Sequence, residues 1–528
     1  MKDKGYKFTK ALIFVVLFVQ IVMPLMALVF HISVKDIVEV FSSNQFLPML
    51  KNSLLSTMVA TIVSITIALT LAWCINRTNI KHKSSISILF TLPMLIPSIS
   101  HGMGLTILFG DNGIFTNITG INIHLFGLTG IVIGATLYAF PAAFLMFTNI
   151  FQYEDFTVYE VAQVLGLTRF QQFMKITLPN LKKPLISAMF AVFTMIFTDY
   201  GVPLVVGGKM TTLPVYMYRE VIGLLDYSKG GVLGVVLLIP AVVAFIVDMM
   251  NQEQTASNTV TKPYVIKENK KRDFFSTSYC GIILFLISVP IVTFAFLCFV
   301  HRYPIDFSLT FNNIQESFKL GIMGYTLNSL LIALTTALLG TAISYLTAYC
   351  TARSGKNFSS MALHMISLVS LSIPGIVLGL SYVLMFKSTP LYGTFVILIG
   401  VNIIHFFASP YLMAYNSLLK FNENLEDVSV TLGIGKLKML KDVFFPCTYD
   451  TVIEMFAYIF VNAMVTISAV SFLANFRNMP LALLIPQFDS QSLIGPIAFI
   501  SIIILMINLI AKLCFYFIKR HFMEKGSL

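Results

Sequence analysis

Charged residues are scarce in this chain of 528 residues, where Asp, Glu, Lys and Arg together make up only 11%. Hydrophobic residues make up 57%. A soluble core cannot bury so much apolar surface, so the composition excludes an ordinary soluble domain and predicts a polytopic membrane protein. Continuous apolar runs of about 20 residues, rather than short alternating strands, favour helical spans over a β-barrel. The predicted fold class is therefore all-α.

The sequence also lacks the usual motifs of metal, redox and nucleotide chemistry. Its six cysteines are scattered, and no two have the spacing of a metal or redox motif. We therefore expect no bound metal and no cofactor. The phosphate-binding pattern G-x-x-x-x-G-K-[ST] is missing: Gly-Lys pairs begin at Gly208, Gly355 and Gly435, and none completes it. The chain should not hydrolyse ATP by itself, so it is not expected to be an enzyme.

The formal net charge of +11 arises from 35 Lys and Arg against 24 Asp and Glu. These charges lie in short tracts between apolar runs, which is typical of topology signals and argues against nucleic-acid binding. The first basic tract, 2–10, precedes an apolar run too long for a signal peptide, and we interpret that run as the first transmembrane helix. The excess of basic residues then predicts that both termini are cytoplasmic.

About twelve apolar segments are long enough to cross a bilayer. In the first half they are approximately 11–32, 53–75, 86–109, 127–151, 184–206 and 231–250. In the second half they are approximately 278–300, 323–350, 361–386, 394–418, 449–473 and 494–518. We therefore predict a first domain at 1–250, a cytosolic linker at 251–276 and a second domain at 277–528.

The two halves are related by an internal repeat. The string NSLL starts at Asn52 and again at Asn328, an offset of 328 − 52 = 276, and the same offset carries Arg77 onto Arg353. Six spans in each half give both copies the same orientation, which predicts a parallel repeat with a pseudo-two-fold axis along the membrane normal. A path along that axis is the natural route for a transported solute.

A loop near 154–180, repeated near 420–447, carries the most specific pattern. The first copy reads EVAQVLG, then nine residues, then ITLP; the second reads DVSVTLG, nine residues, then VFFP. The glycines, Gly166 and Gly433, differ by 433 − 166 = 267. Helical spacing before each glycine and a C-cap at the glycine predict a helix–turn–helix elbow on the cytosolic face.

This pattern resembles the EAA loop of bacterial ABC importer permeases. The first copy matches at Glu160, Ala162, Gly166, Ile176, Leu178 and Pro179. The second copy is degenerate, with Asp427, Ser429, Gly433, Val443, Phe445 and Pro446 at the corresponding positions. The resemblance covers nearly the whole chain, and the fusion of two halves is similar to permeases of the ferric-iron, phosphonate, polyamine and thiamine group.

The resemblance implies an all-α fold of two six-helix permease domains in a bacterial cytoplasmic membrane. It also implies two copies of an ABC ATPase, one on each loop, and an extracytoplasmic substrate-binding protein. The cargo stays open among ferric ion, an organophosphonate such as 2-aminoethylphosphonate, a polyamine and thiamine. The alternative is an ion-coupled secondary carrier, which explains the repeat but not the paired loops.

Four residues are candidates for the translocation path. Asp199 and Tyr200 lie at the end of the fifth span, where an ionisable group is either functional or simply solvated at a helix end. Pro141 and Pro410 are repeat equivalents that we expect to kink their helices. The histidines His101 and His405 are expected to be hydrogen-bonded between helices rather than ligands.

Overall fold

The computed structural model describes residues 4–251, 262–266, 268–355, 357–422 and 424–526. The helices of the first half are α1 Lys4–Leu17, α2 Met23–Phe30, α3 Val34–Ser42, α4 Phe46–Arg77, α5 Lys83–Phe90, α6 Ser98–Phe109, α7 Ile114–Thr119, α8 Leu128–Gln152, α9 Thr157–Val164, α10 Arg169–Gln172, α11 Leu178–Phe197, α12 Gly201–Val206, α13 Leu213–Gly223 and α14 Tyr227–Asn251.

The second half repeats this order. Its helices are α15 Lys270–Leu297, α16 Asn312–Lys319, α17 Ile322–Ala352, α18 Phe358–Val369, α19 Gly375–Phe386, α20 Phe395–His405, α21 Ala408–Leu418, α22 Asn424–Thr431, α23 Lys436–Met439, α24 Phe445–Cys447, α25 Tyr449–Val465, α26 Leu484–Ser490 and α27 Ile494–Gly526. Short π-helical and 3₁₀ segments join several of them: Phe18–Val22, Leu92–Leu95, Phe173–Thr177, Ser370–Ser372, Leu440–Phe444 and Leu481–Leu483. A small antiparallel hairpin, β1 Val300–Arg302 and β2 Asp306–Leu309, follows α15.

The all-α polytopic fold is confirmed, with fewer spans than expected. Eight helices in the described residues are long and apolar enough to cross a membrane, and up to eleven spans result if three bent helix pairs each count as one. The expected span 86–109 does not qualify, because it is divided into α5, a 3₁₀ turn and α6. The predicted linker 251–276 is also shorter than expected, since α15 begins at Lys270.

Proline breaks the third span of both halves. Pro97 is the N-cap of α6 and Pro374 is the N-cap of α19, and the residue before each is extended. Proline has no backbone N–H and disfavours a helical residue before it, so the helix cannot continue. In the second half the two pieces meet at 110°. Two short helices, α6 and α19, therefore begin inside the protein.

The first helix of each half packs on the opposite half. The helix α2 packs against α19, and α15 packs against α6. Tyr382 of α19 donates a hydrogen bond to the carbonyl oxygen of Gln20, at 2.9 Å. On the other side, a Cβ atom placed on Gly104 of α6 would lie 3.0 Å from the Cβ of Pro290. The exchange ties the two halves into one unit.

The NSLL repeat has a structural purpose in both halves. Ser53 accepts a hydrogen bond from the N–H of Leu213 at 2.8 Å, and Ser329 accepts one from Leu481 at 2.7 Å. The preceding asparagines hold the same segments, since Asn52 donates to the carbonyl of Thr211 at 3.2 Å. These side chains satisfy backbone groups of irregular segments that would otherwise be costly inside a membrane protein.

Candidate coupling loops and translocation path

The two predicted elbows have the same backbone geometry. Gly166 ends α9 with φ of 72°, and Gly433 ends α22 with φ of 65°. The N–H of Leu167 bonds the carbonyl of Ala162 at 2.9 Å, and the N–H of Ile434 bonds that of Ser429 at 2.8 Å. These are Schellman caps, in which the left-handed residue favours glycine. The expected C-cap is thus present at both positions.

The signature residues divide into a buried and an exposed set. Ala162 and Ser429 are buried, which explains a small residue at this position. The leucines before the glycines, Leu165 and Leu432, are 71% and 67% exposed, and Val161 and Val428 are exposed as well. Each elbow therefore presents apolar side chains that nothing covers in the described part of the chain. Exposed apolar patches of this kind mark interaction sites.

The remaining signature residues lie after the elbows. Ile176 and Val443 are half-buried within the π-helical segments that follow the elbow helices. Leu178 and Pro179 begin α11, while Phe445 and Pro446 begin α24. Both prolines occupy the first turn, where the missing N–H costs no intrahelical hydrogen bond. The coupling role of these residues stays a prediction.

A buried arginine anchors each loop to the membrane domain. In the first half Arg77 pairs with Glu154 and donates to the carbonyl of Phe151 at 3.2 Å. In the second half Arg353 pairs with Glu426, its Nε lying 2.6 Å from Oε1. The guanidinium of Arg353 also caps the end of α21, donating to the carbonyls of Leu418, Phe421 and Asn422.

The anchoring carboxylates come from different positions in the repeat. Glu426 lies in the first turn of α22, and the 267-residue offset places Tyr159 there in the first half. Tyr159 instead donates a hydrogen bond to Glu154, which lies before α9. Burial, together with this carboxylate, raises the pKa of Tyr159, so the phenol keeps its proton at neutral pH. The two anchors reach the same end by different chemistry.

The described part of the linker lies on the first loop. The carbonyl of Lys262 accepts from the N–H of Phe156 at 2.9 Å, and its ammonium pairs with Glu160. The ring of Tyr264 meets those of Phe156 and Tyr159 with centroids 5.1 and 5.3 Å apart. The guanidinium carbon of Arg77 lies 3.6 Å from the Tyr264 ring centroid, a cation–π contact. Glu160 is therefore already paired within the chain.

The helices that leave the loops differ in shape. From Arg169 to Phe197 the first half forms one span without a sharp bend. In the second half, the segments Lys436–Cys447 and Tyr449–Val465 meet at 82°. A rigid helix transmits a displacement of the loop directly, whereas a bend must be held by its own contacts. Here Thr448 accepts or donates a hydrogen bond to Tyr345 at 2.6 Å.

Asp199 lies at a break in the fifth span rather than at a solvated helix end. The expected span 184–206 is interrupted between α11 and α12, and Asp199 accepts hydrogen bonds from Ser98 at 2.6 Å and from the N–H of Val202 at 3.0 Å. An aspartate that binds the N–H groups ahead of it favours the start of a new helix. Its carboxylate also faces a small polar cavity lined by Ser56, Thr57 and Thr212.

Tyr200 lies where the two halves meet. Its hydroxyl is 2.6 Å from Ser471 Oγ, and its ring stacks on Tyr218 with centroids 4.6 Å apart. Tyr218 in turn stacks on Phe472 of the second half at 6.3 Å. Ser471 and Phe472 follow α25, as α12 follows α11, so the contact joins repeat-equivalent segments. The predicted axis is closed at this level by aromatic rings.

Glycines allow the close approach around this contact. A Cβ atom on Gly201 would lie 2.5 Å from Ser98 Oγ and 3.0 Å from Ile467 Cδ1. The second half repeats the arrangement, since a Cβ on Gly375 would lie 2.3 Å from Ser468 Oγ. No carboxylate occupies the Asp199 position there, because the 267-residue offset leads to Thr466. The charge near the axis is therefore one-sided.

The two histidines have different surroundings. His101 is buried, and its Nε2 lies 3.0 Å from the carbonyl oxygen of Pro93, which the proline break leaves free. The expectation of a hydrogen-bonded histidine is confirmed for His101. His405 lies beside Gly375, and its buried Nδ1 has no hydrogen-bond partner among the described residues. Across the described ranges, no three His, Cys, Asp or Glu side chains cluster as a metal site would require.

The two candidate prolines do not act alike. Pro410 lies in the first turn of α21, just after α20 and α21 meet at 51°. Pro141 is buried inside α8, which stays one helix from Leu128 to Gln152. The expected kink is thus present at one repeat position, and the prediction of a shared kink is wrong for Pro141. Packing of α8 along its length against α4 holds it as one helix.

Sequence reasoning missed several residues that build the site. The pairing of Arg77 with Arg353 was visible as a repeat, but its purpose was not. Ser98, Ser471 and Tyr218 gave no signal, because single hydroxyl and aromatic residues in apolar spans are common. The linker contact through Lys262 was equally hidden, since a lone lysine in a polar stretch has no distinguishing pattern.

The fold and these two loops define a two-repeat membrane-transport protein. A family model described as "Binding-protein-dependent transport system inner membrane component" matches residues 64–252 and again 340–523. The two matches cover most of the chain and correspond to its two halves. The chain belongs to this family.

Curated relatives extend the comparison. A "Ferric transport system permease protein FbpB" of Actinobacillus pleuropneumoniae is 27% identical over 462 residues, covering 83% of this chain and 66% of the relative. A "Putative ferric transport system permease protein FbpB 1" of Haemophilus influenzae is 25% identical over 459 residues, covering 83% of this chain and 72% of the relative. The chain thus spans about two thirds of these proteins.

Single-half relatives also match. The "Sulfate transport system permease protein CysT" of Escherichia coli is 25% identical over 229 residues, which are 41% of this chain and 82% of the relative. A solved bacterial alginate ABC transporter in complex with an alginate pentasaccharide-bound periplasmic protein aligns with 50% of this chain at 17% identity and a TM-score of 0.39. That structural likeness is too weak to support a conclusion about this chain.

Proposed function

We propose that this chain is the membrane-spanning permease subunit of a binding-protein-dependent ABC importer in a bacterial cytoplasmic membrane. The observation that carries the proposal is the pair of Schellman-capped elbows, each presenting an exposed leucine at Leu165 or Leu432. Two ATPase subunits would dock there, one on each elbow. The loops, the linker and both termini would then be cytoplasmic.

Transport would depend on the contact between the halves. ATP-driven closure of the ATPase dimer would move the two elbows together and separate Tyr200 and Tyr218 from Ser471 and Phe472. Moving a two-state equilibrium almost completely requires about 5.5 kcal/mol of differential binding, which ATP must supply. An extracytoplasmic binding protein would deliver the cargo to the opened path. ATP hydrolysis would take place in the separate ATPase subunits.

We propose ferric ion as the cargo. The full-length relatives are named as ferric transport permeases, and Asp199 places a carboxylate beside the axis, an oxygen ligand that hard cations favour. An organophosphonate fits this carboxylate less well because both are anionic. Polyamine and thiamine, which are cationic, are the competing cargoes.

The test is reconstitution of the chain into proteoliposomes with its ATPase and its binding protein. Uptake of ⁵⁵Fe that requires ATP and the binding protein supports the proposal. Polyamine and thiamine, each offered at the same concentration, are the competing arms. Uptake that follows an imposed ion gradient without the ATPase would instead establish the secondary-carrier alternative.

A further inference from the structure

A basic cleft lies at the start of the first helix, where α1 packs on the second half. Its volume is about 400 Å³, within the range of small-ligand sites. The lining residues come from α1, from the turn after α17, from α18 and from α23: Tyr6, Lys7, Lys10, Ala11, Phe14, Ser354, Asn357, Ser359, Leu363 and Lys436. No residue of either elbow signature lines it. The cleft is therefore separate from the predicted coupling surface.

Three lysines and several neutral donors face this cleft. Lys10 Nζ lies 2.9 Å from Ser359 Oγ and 2.7 Å from Ser360 Oγ. Lys436 Nζ lies 4.8 Å from the ring centroid of Tyr6. Lys7 is exposed and makes no ion pair or hydrogen bond within the described residues, where no carboxylate pairs with any of the three lysines. Like charges held together without a counter-charge favour an anionic ligand.

The equivalent place in the first half is neutralised from within. Aligning Pro24 with Pro290 gives an offset of 290 − 24 = 266, which places Lys7 on Asp273, since 273 − 7 = 266. Asp273 accepts hydrogen bonds from the N–H of Asn79 at 3.2 Å and from Arg272 Nε at 2.9 Å. In one half a carboxylate closes the groove, and in the other a lysine takes its position and the groove stays open.

Apolar side chains flank the cleft on the surface. Phe8 follows Lys7 in the chain, and Phe358 lies between two lining residues; they are 70% and 87% exposed. Met361 of α18 is exposed as well. Basic pockets between transmembrane helices at the cytoplasmic side bind lipid headgroups, and exposed apolar residues beside such a pocket suit acyl chains.

We propose that this cleft binds the phosphate of an anionic phospholipid of the inner leaflet. The headgroup phosphate meets Lys7, Lys10 and Lys436, and the acyl chains lie along Phe8 and Phe358. Because Lys436 belongs to α23, directly after the second elbow, the bound lipid joins the first helix to that elbow. The proposal does not depend on which cargo is transported.

The test uses the full-length chain purified in detergent and analysed by native mass spectrometry with added dioleoyl-phosphatidylglycerol. The probe variant is K7Q/K10Q/K436Q. Each lysine near an anionic surface contributes about fivefold to binding, so we expect the affinity for the first phosphatidylglycerol to fall at least tenfold. The matched control is K438Q, which removes an exposed lysine from the same helix α23 and should change the affinity less than twofold.

Further arms keep the result interpretable. K7Q alone removes a side chain without described protein contacts, so it preserves the fold and should still weaken binding several-fold. Phosphatidylcholine should show no difference between the wild type and the triple variant. Equal phosphatidylglycerol affinity in wild type, triple variant and K438Q would overturn the proposal. Full displacement of the lipid by millimolar inorganic phosphate would assign the cleft to a soluble phosphate and overturn the lipid source.

Discussion

The two loops share one elbow and differ in almost everything that holds it. The first is covered on one side by Lys262 and Tyr264 of the linker, and its glutamate Glu160 is paired there. The second has no such cover in the described residues, and its anchoring carboxylate, Glu426, belongs to the elbow helix itself. The first loop continues into a straight span, whereas the second continues into a span bent by 82°.

The difference teaches that the elbow geometry is the common requirement and that its anchors are free to vary. A degenerate signature such as DVSVTLG keeps the left-handed glycine and the small buried residue, which are the positions that the backbone requires. The charged positions differ between the copies, because an anchoring carboxylate can come from before the helix or from its first turn.

The largest effect is expected from the buried arginines. Arg353→Ala leaves Glu426 and three backbone carbonyls without their donor, and breaking a buried pair costs about 3–5 kcal/mol. Arg77→Ala should cost less, since Tyr159 still donates to Glu154. Thermal unfolding of the purified chain measures both. Equal losses would show that the two anchors are equivalent despite their different partners.

A large effect on assembly is expected from the exposed leucines. Leu165→Asp or Leu432→Asp places a charge in a docking surface, and a hot-spot residue contributes at least about 2 kcal/mol, or roughly 30-fold in affinity. The measurement is the ATPase retained per chain after purification. The control is Phe274→Asp, an exposed aromatic of α15 outside both elbows. Retention that drops equally with the control would argue against the elbows as the docking surface.

An intermediate effect is expected at the one-sided carboxylate. Asp199→Asn keeps the size of the side chain but removes its charge, and we expect uptake of ferric ion to fall about tenfold while ATPase retention stays unchanged. The exchange variant D199T/T466D moves the carboxylate to the other half. It should not restore uptake, because α12 then lacks the acceptor for its first N–H groups. Full restoration would show that only the charge near the axis matters.

The smallest effect is expected from the linker contact. Lys262 and Glu160 are each 44% exposed, and surface ion pairs contribute less than about 1 kcal/mol. Lys262→Ala should therefore change ATPase retention by less than about fivefold. An effect larger than that of Leu165→Asp would mean that the linker, rather than the exposed apolar face, controls docking on the first loop.

Much of the architecture followed from local patterns. Apolar runs located most of the spans, Gly166 and Gly433 located the elbows, and the NSLL strings located the repeat. The missed features are breaks and crossings. Pro97 and Pro374 were visible, yet hydropathy reads across them, because an interrupted helix is as apolar as a continuous one. The same limit hid the interruption before α12.

By itself the sequence determined a helical membrane protein with two copies of one unit and one elbow in each, because composition, periodicity and glycine conformation are local properties. Only the tertiary structure decided that the first helices are exchanged, that Tyr200 meets Ser471 across the halves, and that three lysines distant in sequence share one cleft. Those outcomes depend on side chains separated by hundreds of residues. Their pairing is set by packing, which no local pattern records.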